Sequence, residues 1–117
     1  MPDKYQIIFR KLLDHINRAM GYCADKTYED FAADSRTVEA CAYNLSQMGE
    51  LVRLYVEELR GMHPGIPWHS MYHLRNRIMH DYEGIDFFMI WDIIQQDLPT
   101  LREKLEGEIR ERNEGNG

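Results

Sequence analysis

The sequence has no apolar run longer than a few residues, whereas a helix needs about 20 to cross a bilayer, so no membrane span is expected. Its only cysteines, Cys23 and Cys41, lack a CxxC spacing and fall inside apolar patterns. They read as two reduced core thiols of a cytoplasmic protein, not as a disulfide framework. The first ten residues, MPDKYQIIFR, mix charges with apolar side chains and do not read as a signal peptide. No internal repeat, linker or strand-period segment is present, so residues 1–117 are expected to form a single domain around one core.

Acidic residues are missing from one place. The chain carries a formal charge of -6, which argues against a general nucleic-acid binder, yet Met62 to His80 contains no Asp or Glu. The same stretch holds Arg75, Arg77 and four of the five histidines: His63, His69, His73 and His80. An acid-free, Arg/His-rich segment in an acidic chain implies a local anion site instead of a wide electrostatic footprint.

What is present is helical periodicity. Ile8, Leu12, Ile16, Ala19 and Cys23 recur at three and four residues, which predicts an amphipathic helix over Pro2 to Ala24. Thr27 to Asp34 reads as a turn with a short helical piece around Phe31. Val38, Cys41, Leu45, Met48, Val52, Tyr55 and Leu59 form the cleanest stripe and predict one long helix from Ser35 to Arg60. Gly61 and Pro64 interrupt it, and Pro67 can open a helix running to about Tyr82, where Gly84 stops it. Asp86 can cap a last helix buried through Phe87, Ile90, Ile94, Leu98, Leu101, Leu105 and Ile109, with a kink or restart near Asp97 because of Pro99. The tail, about residues 107–117, is expected to fray. These elements add up to an all-α, antiparallel up-and-down bundle of four main helices plus a short one.

On a single regular helix, Trp68, Met71, Leu74, Ile78, Met79 and Tyr82 form an apolar arc, and Arg75 falls within it. Such an arginine either snorkels to solvent or pairs with an acid. His69, Tyr72, His73, Asn76, Arg77 and His80 occupy the opposite arc, which puts His80 about 140° from Arg75. One straight helix therefore does not aim both side chains at one substrate atom. Another helix or a second copy of the chain would have to complete such a site.

The string RNRIMHDY, Arg75 to Tyr82, contains R-x-x-x-x-H-x-Y and resembles the HepT-like toxins of the HEPN superfamily, ribonuclease partners of a minimal nucleotidyltransferase antitoxin. The likeness extends to Pro67-Trp68, to Gly84 with the apolar segment after it, to Asp97-Leu98-Pro99, and to an upstream N-x-x-x-x-G-E formed by Asn44, Gly49 and Glu50. It implies a HEPN-like helical fold and a ribonuclease needing no metal or other cofactor, whose site forms where two motifs meet across a homodimer. Arg75 and His80, with Asn76 beside them, are then the catalytic candidates, and Arg77 and His73 the candidate RNA contacts. The resemblance also implies that the nucleotidyltransferase attaches AMP to Tyr82, which would silence the toxin. Without it, Tyr82 is an ordinary amphipathic tyrosine at a helix end.

Two other readings compete. His69 and His73, four apart, have a spacing that can hold zinc, with His80 or Asp81 nearby. Alternatively, the chain is a non-catalytic binding partner of the nucleotidyltransferase.

Overall fold

The fold was taken from a computed structural model that describes residues 3–80 and 84–116, without the side chains of His80 and of residues 112–116. The first helix, α1, runs from Lys4 to Cys23, and Asp3 caps it by accepting a hydrogen bond from the Gln6 amide at 2.8 Å. Its expected stripe, Ile8, Leu12, Ile16, Ala19 and Cys23, is buried, together with Phe9. The short α2, Tyr28–Ala32, exists because Thr27 and Asp30 form a reciprocal capping box, and it buries Phe31.

Asp34 caps the next helix, α3, Ser35–Arg53. The expected single helix from Ser35 to Arg60 is broken. α3 ends at Arg53, and α4, Val56–Met62, starts after a tight turn in which the Tyr55 amide bonds to the Val52 carbonyl. Val52 and Leu59 are both fully buried across the break, so the apolar stripe runs through it. Leu54 is 68% exposed at the turn, and Glu57 and Glu58 in the first turn of α4 favour a helix start through the dipole.

The helix expected from Pro67 to Tyr82 is likewise two pieces, α5, Trp68–Tyr72, and α6, Leu74–Ile78. They are joined at His73, whose amide bonds to the His69 carbonyl and whose carbonyl accepts from the Arg77 amide, so this joint is a bend in a continuous hydrogen-bond ladder. Helix then gives way to a small antiparallel hairpin. β1, Met79–His80, pairs with β2, Gly84–Ile85, placing Met79 opposite Ile85 and His80 opposite Gly84. Gly84 has φ +82, a left-handed conformation that favours glycine, so it serves the hairpin instead of stopping a helix. The Asp86 amide bonds to the Ile78 carbonyl at 2.8 Å and satisfies one of the last acceptors of α6.

Asp86 caps α7, Phe87–Asp92, as expected, accepting from the Met89 amide at 2.9 Å. The irregularity foreseen near Asp97 is a π turn, Ile93–Asp97, in which the Leu98 amide reaches the Ile93 carbonyl five residues back. Pro99 accounts for its position, since it has no amide to donate and its ring crowds the carbonyl four residues earlier. α8 continues from Leu98 to Asn116, so the backbone stays helical past Gly107, where fraying was expected; the Glu and Arg residues there are good helix formers.

α1 packs on α3 and α8, α3 on α5 and α6, and α6 on α7. The four arms thus close an all-α bundle around one core, as the stripes implied. Cys23 and Cys41 are buried free thiols with their sulfurs 3.8 Å apart, and the bond to Cys23 together with burial holds the Cys41 thiol protonated. Among the described residues no helix is long and apolar enough to cross a membrane.

Candidate functional site

The arm that carries Arg75 is fixed at its start by Trp68. That side chain is 1% exposed, donates its indole N–H to the His63 carbonyl at 2.9 Å and stacks on Phe9 of α1. Met71, Leu74 and Ile78 continue the buried face, matching the apolar arc read from the sequence. Behind them, α3 comes unusually close. Gly49 faces the carbonyl oxygens of Met71 and Tyr72, and a Cβ there would lie 3.1 Å from each. Asn44, one turn and a half earlier, is buried and works structurally. Its amide donates to the Ala40 carbonyl and its oxygen meets His15 Nδ1 of α1, both at 2.8 Å. Glu50 lies on the surface and pairs with Arg53 at 3.2 Å. Asn44 and Gly49 of the upstream motif therefore hold α3 in place between α1 and the arm that carries Arg75.

Arg75 is exposed although its neighbours in the arc, Met71, Leu74 and Ile78, are buried, which is the snorkelling alternative of the two left by the sequence. Among the described residues it has no ion pair or hydrogen-bond partner, and neither does Asn76, which is also exposed. Arg77 differs: it is partly buried and sits 3.8 Å from the Asp97 carboxylate across the bundle. Of these two arginines, Arg75 is the one that has no partner among the described residues.

His80 is on β1, five residues past Arg75 but off the helix, so the 140° separation expected on a regular helix does not apply. The same break removes the shared helical face expected for Asn76 and His80. The side chain of His80, and Asp81 and Tyr82 entirely, lie outside the described residues. His73 is exposed, edge-on to the Tyr72 ring at 4.6 Å and stacked near His69 at 6.3 Å. The Nε2 of His69 is 2.9 Å from Arg60 Nη1 and 3.3 Å from a Glu57 oxygen. Among the described residues no three His, Cys, Asp or Glu side chains cluster as metal ligands.

On the other side of α6 lies a groove of about 430 Å³ that no sequence pattern announced. α5 and α6 form one wall through Ser70, Leu74 and Arg77; the π turn and α8 form the other through Gln96, Asp97 and Lys104. Only the π turn beside Pro99 had a sequence signal, since polar residues on an exposed helix face carry no period of their own.

A family model described as ribonuclease HepT-like matches residues 12–107. A Methanocaldococcus jannaschii protein provisionally named an RNase is 29% identical over 95% of this chain and 93% of its own length. A Thermococcus cleftensis protein provisionally named ribonuclease HepT is 33% identical over 68% of this chain and 72% of its own. A second M. jannaschii protein, also provisionally an RNase, is 30% identical over 81% and 87%. No solved structure matches.

Proposed function

Because the chain belongs to the HepT-like ribonuclease family, we propose that it cuts RNA without a metal, at a site built by two copies of the chain, as the toxin of a toxin–antitoxin pair. The observation that carries this reading is the exposed Arg75 guanidinium, without a partner among the described residues, within an acid-free segment and five residues before His80. In the reaction, a base takes the proton of a ribose 2′-hydroxyl, whose oxygen attacks the adjacent phosphorus. The bond to the 5′-oxygen breaks, and that oxygen leaves with a proton from an acid. Histidine suits both transfers near neutral pH, and His80 is assigned to them. The pentacovalent transition state carries added negative charge, which the Arg75 guanidinium can hold through two parallel hydrogen bonds. Asn76 is exposed beside Arg75 and assists at the phosphate or the imidazole. Arg77 and His73 contact the RNA on either side.

Two copies of the chain bring two Arg75/His80 sets to one cleft, and Tyr72 and Met79, 36% and 38% exposed on either side of Arg75 in sequence, are apolar surface for such a contact. A cognate nucleotidyltransferase silences the enzyme by attaching AMP to Tyr82, two residues after His80. The setting is the cytoplasm, where the Cys23 and Cys41 thiols stay reduced.

The test is purified protein with end-labelled RNA in EDTA. Cleavage should persist and leave 2′,3′-cyclic phosphate ends, and the His80→Ala protein prepared identically should lose most of it. An inactive parent protein would leave the chain as a non-catalytic partner of the nucleotidyltransferase.

A further inference from the structure

The groove between α5/α6 and the π turn with α8 has the make-up of a base-binding slot. Its floor is aliphatic, from Leu74, Ile93 and Leu98, all buried. Ser70, Gln96 and Thr100 are exposed at its rim, and none has a side-chain hydrogen-bond partner among the described residues. Two cations and one carboxylate complete it. Arg77 sits 3.8 Å from Asp97, and Lys104 donates to the Gly65 carbonyl at 3.0 Å, which holds its ammonium at one end. The sum is one net positive charge beside an apolar floor with free polar groups. A volume of about 430 Å³ lies within the usual range for small-ligand sites. The π turn contributes Gln96 and Asp97, and such turns occur often at functional sites.

We infer that this groove binds one unpaired nucleotide of the RNA substrate, and that Asp97 makes guanine its best occupant; the assignment rests on the ribonuclease reading above. The chemistry selects among bases. An ionised carboxylate only accepts hydrogen bonds, through two oxygens side by side. On the pairing edge, guanine alone offers two adjacent N–H donors. Adenine and cytosine set one amino group beside an acceptor, and uracil sets one N–H between two acceptors. Arg77 lies beside the carboxylate at 3.8 Å, and Lys104 takes the phosphate. The base lies against the aliphatic floor, since apolar as well as aromatic side chains can hold an extruded base. Arg77 and Arg75 are two residues apart on α6, about 3 Å of axial rise, so the slot and the exposed Arg75 guanidinium are on two sides of one helical turn.

Two measurements test this. Cleavage positions mapped on a mixed-sequence RNA should cluster at a fixed distance from guanines. Asp97→Asn, which turns one acceptor into a donor, should reduce that preference about 10-fold, the worth of one bidentate base contact, while leaving total cleavage at other sites in place. Thr100→Trp, which fills the slot from an exposed position, should abolish the preference without unfolding the bundle. Separately, guanosine 3′-monophosphate should shift the amide NMR signals of Gln96 and Thr100 more than uridine 3′-monophosphate does. An active parent enzyme whose site pattern is the same in both variants overturns the inference, as do equal shifts with the two nucleotides. An inactive enzyme that still binds the guanine nucleotide at Gln96 and Thr100 overturns the ribonuclease reading and leaves the slot standing.

Discussion

A Cβ on Gly49 would lie 3.1 Å from the carbonyl oxygen of Tyr72, and equally close to that of Met71. α3 can approach the bend before Arg75 only because that position has no side chain. The obstructing atoms are helix backbone, which cannot swing aside as the end of a flexible side chain can. Gly49→Val should therefore cost about 1–3 kcal/mol, the usual range for overpacking, and lower the thermal midpoint accordingly. Gly21 in α1 is the control, since a methyl group added there would meet no atom within 4 Å. Gly21→Ala should leave stability unchanged or raise it by up to about 1 kcal/mol. Equal melting of Gly49→Val and the parent would show that α3 and α5 have slack between them.

Catalytic variants should separate the two arginines of RNRIMH. Arg75→Ala removes an exposed guanidinium with no partner among the described residues, so it should lower cleavage and toxicity together while the helical circular dichroism spectrum stays intact. His80→Ala should lower the rate about 10²–10⁴-fold, as expected for loss of a general acid or base. Arg77 already has Asp97 within 3.8 Å, so Arg77→Ala should weaken RNA binding and spare most of the chemical step. Single-turnover kinetics distinguish these effects. A chemical step more damaged by Arg77→Ala than by Arg75→Ala would reverse the assignment.

The buried stripes were legible because burial follows side-chain spacing alone. Ile8 to Cys23, Val38 to Leu59 and Ile90 to Ile109 could be read off before any packing was known. The breaks were not legible for the same reason. Val52 and Leu59 keep their period through the turn at Leu54, and Leu74 and Ile78 keep theirs past the bend at His73. Pro99 was readable as an irregularity because its missing donor is a local property. The hairpin after Ile78 rests on pairing His80 with Gly84, a contact across residues that carry no strand period. Spacing placed Arg75 within the buried arc but could not choose between a snorkelling and an acid-paired guanidinium; it is exposed. The candidate site's residues come from the motif, whereas the exposure of Arg75 is seen only in the fold.

Asp34 should make part of the stability of α3 depend on acid. Its carboxylate accepts from the Thr37 hydroxyl at 2.8 Å and from the Thr37 amide at 3.3 Å, and these bonds lower its pKa below the ordinary value. A lowered folded-state pKa means that the unfolded chain takes up the proton first as pH falls. The cap's contribution is thus complete above the unfolded value of about 3.9 and is lost as pH drops through the lower folded one. Asn also caps helices but does not titrate. The urea midpoints of Asp34→Asn and the parent should therefore differ most at neutral pH and converge below about pH 4. A difference that stays constant with pH would mean that the carboxylate's charge contributes nothing.

A composite site requires a dimer. Light scattering at micromolar concentration should report twice the chain mass, and RNase activity per chain should fall on dilution below the dissociation constant. Met79→Glu places a charge on an exposed side chain next to His80 in sequence. It should shift the population toward monomer and lower activity together, with the melting temperature little changed at high concentration. Full activity from a protein that scatters as a monomer would confine the site to one chain.

The proposed modification of Tyr82 gives the sharpest separation between a regulated toxin and a generic RNA-cutting bundle. Tyr82 lies outside the described residues, two after His80 and two before Gly84 in the chain. A phosphate carried on its phenolic oxygen would add negative charge close to the proposed RNA site in sequence. That charge would repel the substrate's own phosphates and compete for the Arg75 guanidinium. Incubation with the cognate nucleotidyltransferase, ATP and magnesium should add one or more AMP units to Tyr82 by mass spectrometry, with RNase activity falling in step. The transfer joins the phenolic oxygen to the α-phosphorus of ATP and releases pyrophosphate, so pyrophosphate should appear in equal amount to the AMP added. Tyr82→Phe keeps the ring and removes the acceptor oxygen. That variant should cut RNA as the parent does, yet escape silencing in cells that carry the antitoxin. If Tyr82→Phe is neutralised as fully as the parent, with no adduct on any residue, the antitoxin acts by covering the site and no modification is needed.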